Sequence, residues 1–280
     1  MIKIRFMALA AMLAISGVAA ADEATNAAAR QTFNKNKDAV VWVTGTVKLE
    51  LSGGGRSFPG RENKLNIIGT VVDPSGLTMV SYSAIDPAGA LDGSTQDING
   101  VPTVLSAKSE HSDLKITLAD GTTEVPCDLV LNDPEMDLAF LLPRKESKEY
   151  KAAKFTAVKF EKGPQVQVFD TILSITRLQK AMDQTPAADL TAVKAVVTKP
   201  RTFIIPNRLD SPGSPVFTPE GVVVGFTTFR IVDRARMQGA VVIIPAGDAA
   251  KMIKQALAAK PPTTATTKAA TTKATTQPNP

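Results

Sequence analysis

Two serines in a turn-forming run are the residues of this chain whose types could support covalent chemistry. Ser211 and Ser214 lie in the run Asp210-Ser211-Pro212-Gly213-Ser214-Pro215. A serine hydroxyl is a poor nucleophile until a neighbouring base takes its proton, and an imidazole is the usual base. The chain has one histidine, His111. Asp, Ser, Pro and Gly are also the ordinary residues of turns, so the run is equally consistent with a plain loop.

The segments around these serines carry a wider pattern. The run is followed by Val216-Phe217, a turn, and the apolar strand Gly221-Val222-Val223-Val224-Gly225-Phe226. This order resembles the nucleophile loop of trypsin-like serine peptidases, in which backbone N–H groups form the oxyanion hole. Three more segments resemble parts of the bacterial Deg-type (high-temperature-requirement) peptidases in the same order: residues 66–85, 132–141, and 239–245 with the helix-like run that follows.

The resemblance implies a role for particular positions. Ser83 stands where the family has its catalytic histidine, and Asp137 stands where the family has the aspartate that orients it. The nucleophile position is open: an ungapped count back from Pro215 gives Pro212, the Asp-Ser pair gives Ser211, and a shortened loop gives Ser214.

These departures predict a protein that does not cut peptide bonds. Pro212 has no N–H to offer an oxyanion, and the imidazole is missing. With Ser83 opposite it, Asp137 is expected to be a buried carboxylate that accepts from a hydroxyl and from backbone donors. His111 is expected to be a solvated surface residue, because the family places its strand far from the cleft. The resemblance therefore implies an inactive pseudopeptidase that binds a peptide or protein; the alternative is an active serine endopeptidase with an unconventional catalytic arrangement.

The N-terminal residues indicate export, and the C-terminal residues predict a disordered tail. Residues 1–21 contain Lys3 and Arg5, then an apolar run and small residues, the pattern of a secretory signal peptide. We expect a periplasmic or extracellular protein with no stable membrane insertion after cleavage. Residues 260–280 are Thr, Ala, Lys and Pro without large apolar side chains, which predicts a disordered tail. That tail is either simply solvated or a weak tether to an anionic envelope polymer.

Composition excludes several other functions. The net charge of +5 is modest, and no basic stripe with interleaved aromatic residues indicates nucleic-acid binding. Histidine, cysteine and acidic residues show no spacing typical of a metal site, and no cofactor motif is present. The single cysteine, Cys127, is expected to be a small buried residue.

Short β-rich runs separated by turn residues predict an all-β fold. With the resemblance, they predict two packed antiparallel β-barrels of trypsin-like type with short helices at both ends. The expected division is a leading helix or linker over 22–37 and a peptidase-like domain over 38–259, whose barrels span about 38–143 and 155–259. The glycine-rich residues 52–56 are expected to form a flexible loop.

Overall fold

β-branched strands separated by turns close into two antiparallel barrels. A computed structural model describes residues 22–233 and 238–259. The predicted signal segment 1–21 and the predicted tail 260–280 lie outside the described residues. Among the described residues, no helix is long and apolar enough to cross a membrane.

The first barrel is built from the N-terminal half of the chain. Its strands are β1 (Val40–Gly53), β2 (Arg56–Val71), β3 (Thr78–Ser81), β4 (Thr95–Ile98), β5 (Val101–Thr117), β6 (Glu124–Asp133) and β7 (Leu138–Pro143). The order β1-β2-β3-β7-β6-β5 closes through pairing of β5 with β1, and β4 adds to the far end of β5.

The second barrel follows a linker. Its strands are β8 (Thr171–Arg177), β9 (Pro186–Val197), β10 (Phe203–Pro206), β11 (Pro215–Phe217), β12 (Val223–Asp233) and β13 (Gln238–Pro245). They close in the order β10-β13-β12-β11-β8-β9. The helices are α1 (22–36), α2 (Tyr82–Ile85), α3 (Ala88–Leu91), α4 (Lys148–Ala152) and α5 (Ala246–Ala258). The predicted two-barrel, all-β fold is confirmed.

The β1–β2 connection differs from the expected flexible loop. Only Gly54 and Gly55 separate the two strands, with φ of +58° and +76°. Two successive residues at positive φ match the twist of a two-residue hairpin turn, and glycine adopts that conformation without a steric cost. The glycine-rich run therefore forms a tight turn.

Three apolar clusters hold the fold together. One fills the first barrel and contains Val41, Ile116 and Cys127, so the lone cysteine is buried as expected. Another fills the second barrel. The third includes Trp42 and Phe140 from the first barrel and Phe226 from the second. Because this cluster draws on both barrels, their relative position is fixed by a shared core.

Candidate functional site

Asp137 lies where the two barrels meet. It occupies the turn before β7 with φ of +54°, a left-handed conformation that aspartate tolerates better than most residues, and only 8% of it is exposed. Its Oδ1 accepts the N–H of Ser83 at 2.6 Å. Its Oδ2 accepts the hydroxyl of Ser81 and, at 2.8 Å, the N–H of Phe229 on β12 of the second barrel. The carboxylate therefore joins three separate elements.

The hydroxyl bound to Asp137 belongs to Ser81. Ser83, at the position expected to face the aspartate, gives its backbone N–H to Oδ1, and its own Oγ lies 3.1 Å from the Oγ of Ser81. Burial raises the pKa of Asp137 above its ordinary value, and the hydrogen bonds from Ser81, Ser83 and Phe229 offset part of that rise. The expectation of a buried carboxylate with hydroxyl and backbone donors agrees with this geometry.

The loop with the two predicted serines folds inward against β12. Ser214 is fully buried, and its Oγ has no hydrogen-bond partner among the described residues. Ser211 is half-buried and its carbonyl accepts from the hydroxyl of Thr227 at 2.8 Å. Of the two serines, Ser211 alone is partly open to solvent.

The backbone N–H groups of Gly213 and Ser214 bind within the protein. The Gly213 N–H donates to the carbonyl of Thr227 at 2.8 Å, and the Ser214 N–H donates to Thr227 Oγ1 at 2.8 Å. Pro212 has no N–H. None of residues 212–214 therefore has an N–H free to bind an oxyanion.

Gly213 fixes the loop against the first barrel. Its φ is +98°, and a Cβ at this position would lie 2.1 Å from the carbonyl oxygen of Ile68 on β2. Its own carbonyl accepts the Thr70 hydroxyl at 2.9 Å. Because no side chain fits there, the loop can pack on β2 only with glycine at this position.

Thr227 is the central residue that sequence reasoning missed. It is fully buried, its N–H donates to the Ser214 carbonyl at 2.9 Å, and its hydroxyl contacts Ser211 and Ser214. Threonine in an otherwise apolar strand is a weak signal of a buried hydrogen bond, because a buried hydroxyl needs a partner. Thr227 and Phe229 are two apart on β12, so Asp137 and the 211–214 loop bind the same edge of one strand.

His111 is not the solvated residue that the sequence predicted. Its side chain on β5 is half-buried, and Nε2 lies 2.8 Å from the carbonyl oxygen of Ile85 at the end of α2. The imidazole thus binds the short helix that carries Ser83, while the donors to Asp137 come from other residues. No group of three or more His, Cys, Asp or Glu side chains that could hold a metal exists within the described ranges.

Solved structures share this two-barrel arrangement. No protein-family model matches the sequence, and no curated protein matches it either. A serine endoprotease from Yersinia pestis aligns over 82% of this chain and 66% of its own, with 15% identity and a TM-score of 0.52. The MamO protease domain from Magnetospirillum magneticum aligns over 78% of this chain and 97% of its own, with 16% identity and a TM-score of 0.48. The chain has the two-barrel fold of trypsin-like serine peptidases.

Proposed function

We propose that this protein is an exported pseudopeptidase that binds an extended peptide segment without cutting it. The observation that carries the proposal is that the Gly213 and Ser214 N–H groups bind within the protein and Pro212 has none, so a nucleophile at Ser214 has no donors free and aimed at the substrate. Serine at position 83 also cannot act as a general base at neutral pH.

The oxygens of Asp137 are committed to structure in the same way. In an active triad, the aspartate accepts from an imidazole and stabilises its charged form. Here it accepts from Ser81, Ser83 and Phe229, and the only imidazole of the chain is bound to Ile85. The carboxylate therefore links the barrels and has no base to orient.

One edge of β12 offers a place for a peptide beyond the Thr227 and Phe229 N–H groups, which bind Ser214 and Asp137; among the described residues no strand pairs there. β11 pairs with β12 only as far as Phe226, and β13 covers the opposite edge of β12. Antiparallel hydrogen bonding alternates along a strand, and the N–H groups of Thr227 and Phe229 point away from β13. By this alternation the carbonyl of Phe229 and the N–H of Ile231 also point away from β13, where an added strand would bind them.

Binding can be tested with fluorescein-labelled β-casein as an extended probe. Ile231→Pro removes the N–H on the free edge, whereas Ile231→Val keeps it and serves as the matched control. We expect fluorescence polarisation to show casein binding that Ile231→Pro weakens about tenfold and Ile231→Val leaves unchanged, the scale of one lost backbone hydrogen bond. Equal affinity of the two variants would contradict binding at this edge.

Export is supported by the N-terminal pattern alone. Expression of the full chain in a Gram-negative host should release a protein that begins near Ala21 or Asp22 into the periplasmic fraction. Mass spectrometry of that fraction is the measurement. An uncleaved chain retained in the cytoplasm would contradict export.

A further inference from the structure

A large cavity lies at one end of the second barrel, and it shares no residue with the Asp137 site. Its volume is about 1,060 Å³. It is bounded by residues 159–167 of the linker between the barrels, by the ends of β9 and β10, and by the first turns of α5. Cavities of this size are typical of sites for small molecules.

The floor of the cavity is aliphatic. It includes Val166, Val196, Ile204 and Val224, which belong to or pack against the core of the second barrel, and Ala250 of α5. Val166, Val196 and Ala250 are partly exposed, whereas Ile204 and Val224 beneath them are buried. A hydrocarbon chain laid on the three partly exposed side chains removes their apolar surface from water. The floor therefore favours a ligand with an apolar body.

The rim carries an uncompensated positive charge. Lys159 pairs with Glu161 at 2.6 Å and Lys251 pairs with Asp248 at 2.8 Å. Lys162 and Lys254 also line the cavity, and within residues 22–233 and 238–259 neither forms an ion pair. Two free ammonium groups above an apolar floor are complementary to a ligand with an anionic head.

The closed barrel disfavours a peptide in this position. β10 is paired on both sides, by β9 and by β13, and β13 is paired by β10 and β12. A peptide backbone laid on the aliphatic floor would find no strand edge to satisfy its N–H and C=O groups, and unpaired buried polar groups are costly. A hydrocarbon chain has no such groups.

The chain's own C-terminal segment is also a poor occupant. Residues 260–280 include Lys260, Lys268 and Lys273 and no acidic side chain or large apolar side chain. Their charge has the same sign as the rim. Charge complementarity therefore points to a separate ligand.

We propose that this cavity binds a single-chain amphiphile with one anionic head group. The hydrocarbon chain lies on Val166, Val196 and Ala250, and the head group binds Lys162 and Lys254. Lysine reaches such a head group through a flexible stem and offers three donors, which suits a carboxylate or a phosphate equally. The shared chemistry is an anionic head on an aliphatic chain.

Calorimetric titration of the full chain with dodecanoate, below its critical micelle concentration, tests the proposal. We expect one dodecanoate per protein, and decanoate about tenfold weaker because two methylenes are lost from the floor. Dodecyltrimethylammonium, with the same chain and the opposite charge, should bind at least roughly tenfold more weakly than dodecanoate. Comparing the affinities for dodecyl phosphate and dodecanoate shows which head group, phosphate or carboxylate, is preferred. Tight binding of either ligand supports the proposal.

Variants locate the binding. The double variant Lys162→Ala and Lys254→Ala should lower the affinity for dodecanoate at least about tenfold. The control variant Lys64→Ala and Lys145→Ala removes the same charge from exposed positions outside the cavity. It should change the affinity for dodecanoate less than about threefold. Ala250→Phe, which narrows the cavity, should weaken both anionic ligands, with the unfolding midpoint as the check on folding.

The proposal is overturned if neither anionic amphiphile binds, or if dodecyltrimethylammonium binds as tightly as dodecanoate. It is also overturned if the Lys162 and Lys254 double variant binds dodecanoate with unchanged affinity, or if an acidic peptide binds in place of dodecanoate. Because the cavity and the β12 edge have no residue in common, loss of casein binding in Ile231→Pro leaves this result unaffected. Failure of the two proposals is therefore distinguishable.

Discussion

At the scale of single residues, the polar groups of the candidate site hydrogen-bond to one another within the protein. Asp137 is buried and accepts from Ser81, Ser83 and Phe229, and two of these donors are backbone N–H groups. When a buried N–H loses its acceptor, the protein is destabilised by the full desolvation free energy of that N–H. The aspartate should therefore matter for stability even in a protein that has no catalytic histidine beside it.

Asp137→Asn tests this role. The amide keeps one acceptor oxygen but turns an NH₂ group toward donors, so we expect a loss of about 2 kcal/mol in the free energy of unfolding at neutral pH. Urea unfolding followed by fluorescence of Trp42, the single tryptophan, is the measurement. Unchanged stability would mean that the carboxylate does not hold the barrels together.

The same variant makes a prediction about pH. Burial raises the pKa of Asp137 in the folded state above its unfolded value of about 3.9. The pH-dependent part of its contribution to stability is then fully present below about pH 3.9 and is lost as pH rises through the folded pKa. The amide introduced by Asp137→Asn does not titrate. The stability advantage of the native protein over Asp137→Asn should therefore shrink as pH rises from about 4, and an advantage that grows would show that the three donors outweigh burial.

Gly213 offers a second test at this scale. The Gly213→Ala methyl would lie 2.1 Å from the Ile68 carbonyl oxygen, at a φ of +98°. Gly55→Ala is the matched control, because Gly55 also has positive φ but nothing within 4 Å of the added carbon. We expect a loss of about 3 kcal/mol for Gly213→Ala and about 1 kcal/mol for Gly55→Ala in urea unfolding. Similar losses would mean that the 211–214 loop can move away from β2.

At the scale of elements, β12 organises the site. It pairs with β11 and β13, receives the 211–214 loop through Thr227, and gives the Phe229 N–H to Asp137. One strand thus supports both halves of the region that an active peptidase would use. It also provides the free edge proposed for peptide binding.

Substituting two neighbouring buried threonines of β12 distinguishes the contribution of hydrogen bonding to stability from that of packing. Thr227 and Thr228 are both buried, but Thr228 Oγ1 has no partner among the described residues. Thr227→Val removes the hydroxyl that contacts Ser211 and Ser214, and we expect it to cost about 2 kcal/mol in urea unfolding. Thr228→Val should be neutral or stabilising, because it removes an unpaired buried hydroxyl. A larger loss of unfolding free energy for Thr228→Val than for Thr227→Val would contradict the hydrogen bonding described for β12.

The sequence predicts the local elements of this site better than the contacts between distant segments. Ordered motifs predicted the two barrels, because short β-rich runs and turn residues are local signals. Thr227, Ser81 and the His111–Ile85 contact were not predictable, since each depends on segments brought together by the closed barrels. The contact of Gly213 with Ile68 likewise spans the two barrels, and its sequence signal was only a glycine in a turn.

At the scale of the whole molecule, Arg177 links the barrels away from the site. It lies on β8 and is 5% exposed. Its Nε donates a hydrogen bond to the Val40 carbonyl at 2.6 Å across the barrel interface. Its Nη1 donates to the Gln184 carbonyl at 3.0 Å. Burial lowers its pKa, with Asp38 and Asp120 opposing the shift. Its Nη2 has no partner in the described part of the chain.

Arg177→Ala should lower the free energy of unfolding by about 3 kcal/mol, because it removes packing and leaves the Val40 carbonyl unpaired. Arg230 provides the comparison: it contacts the Glu135 carbonyl at 3.3 Å near the surface and lies 4.4 Å from the Phe203 ring centroid. Arg230→Ala should cost about 1 kcal/mol. A smaller loss for Arg177→Ala than for Arg230→Ala would show that the buried guanidinium is not a structural link.

The central claim is that this trypsin-like fold binds peptide without hydrolysing it. The most direct measurement is incubation of the purified protein with β-casein and, in parallel, with a serine-directed fluorophosphonate probe, followed by mass spectrometry of both. We predict intact casein and an unlabelled protein, and the same result for Ser83→His, because residues 212–214 have no free N–H for an oxyanion. Casein fragments together with probe labelling that disappears in Ser211→Ala or Ser214→Ala would contradict the claim.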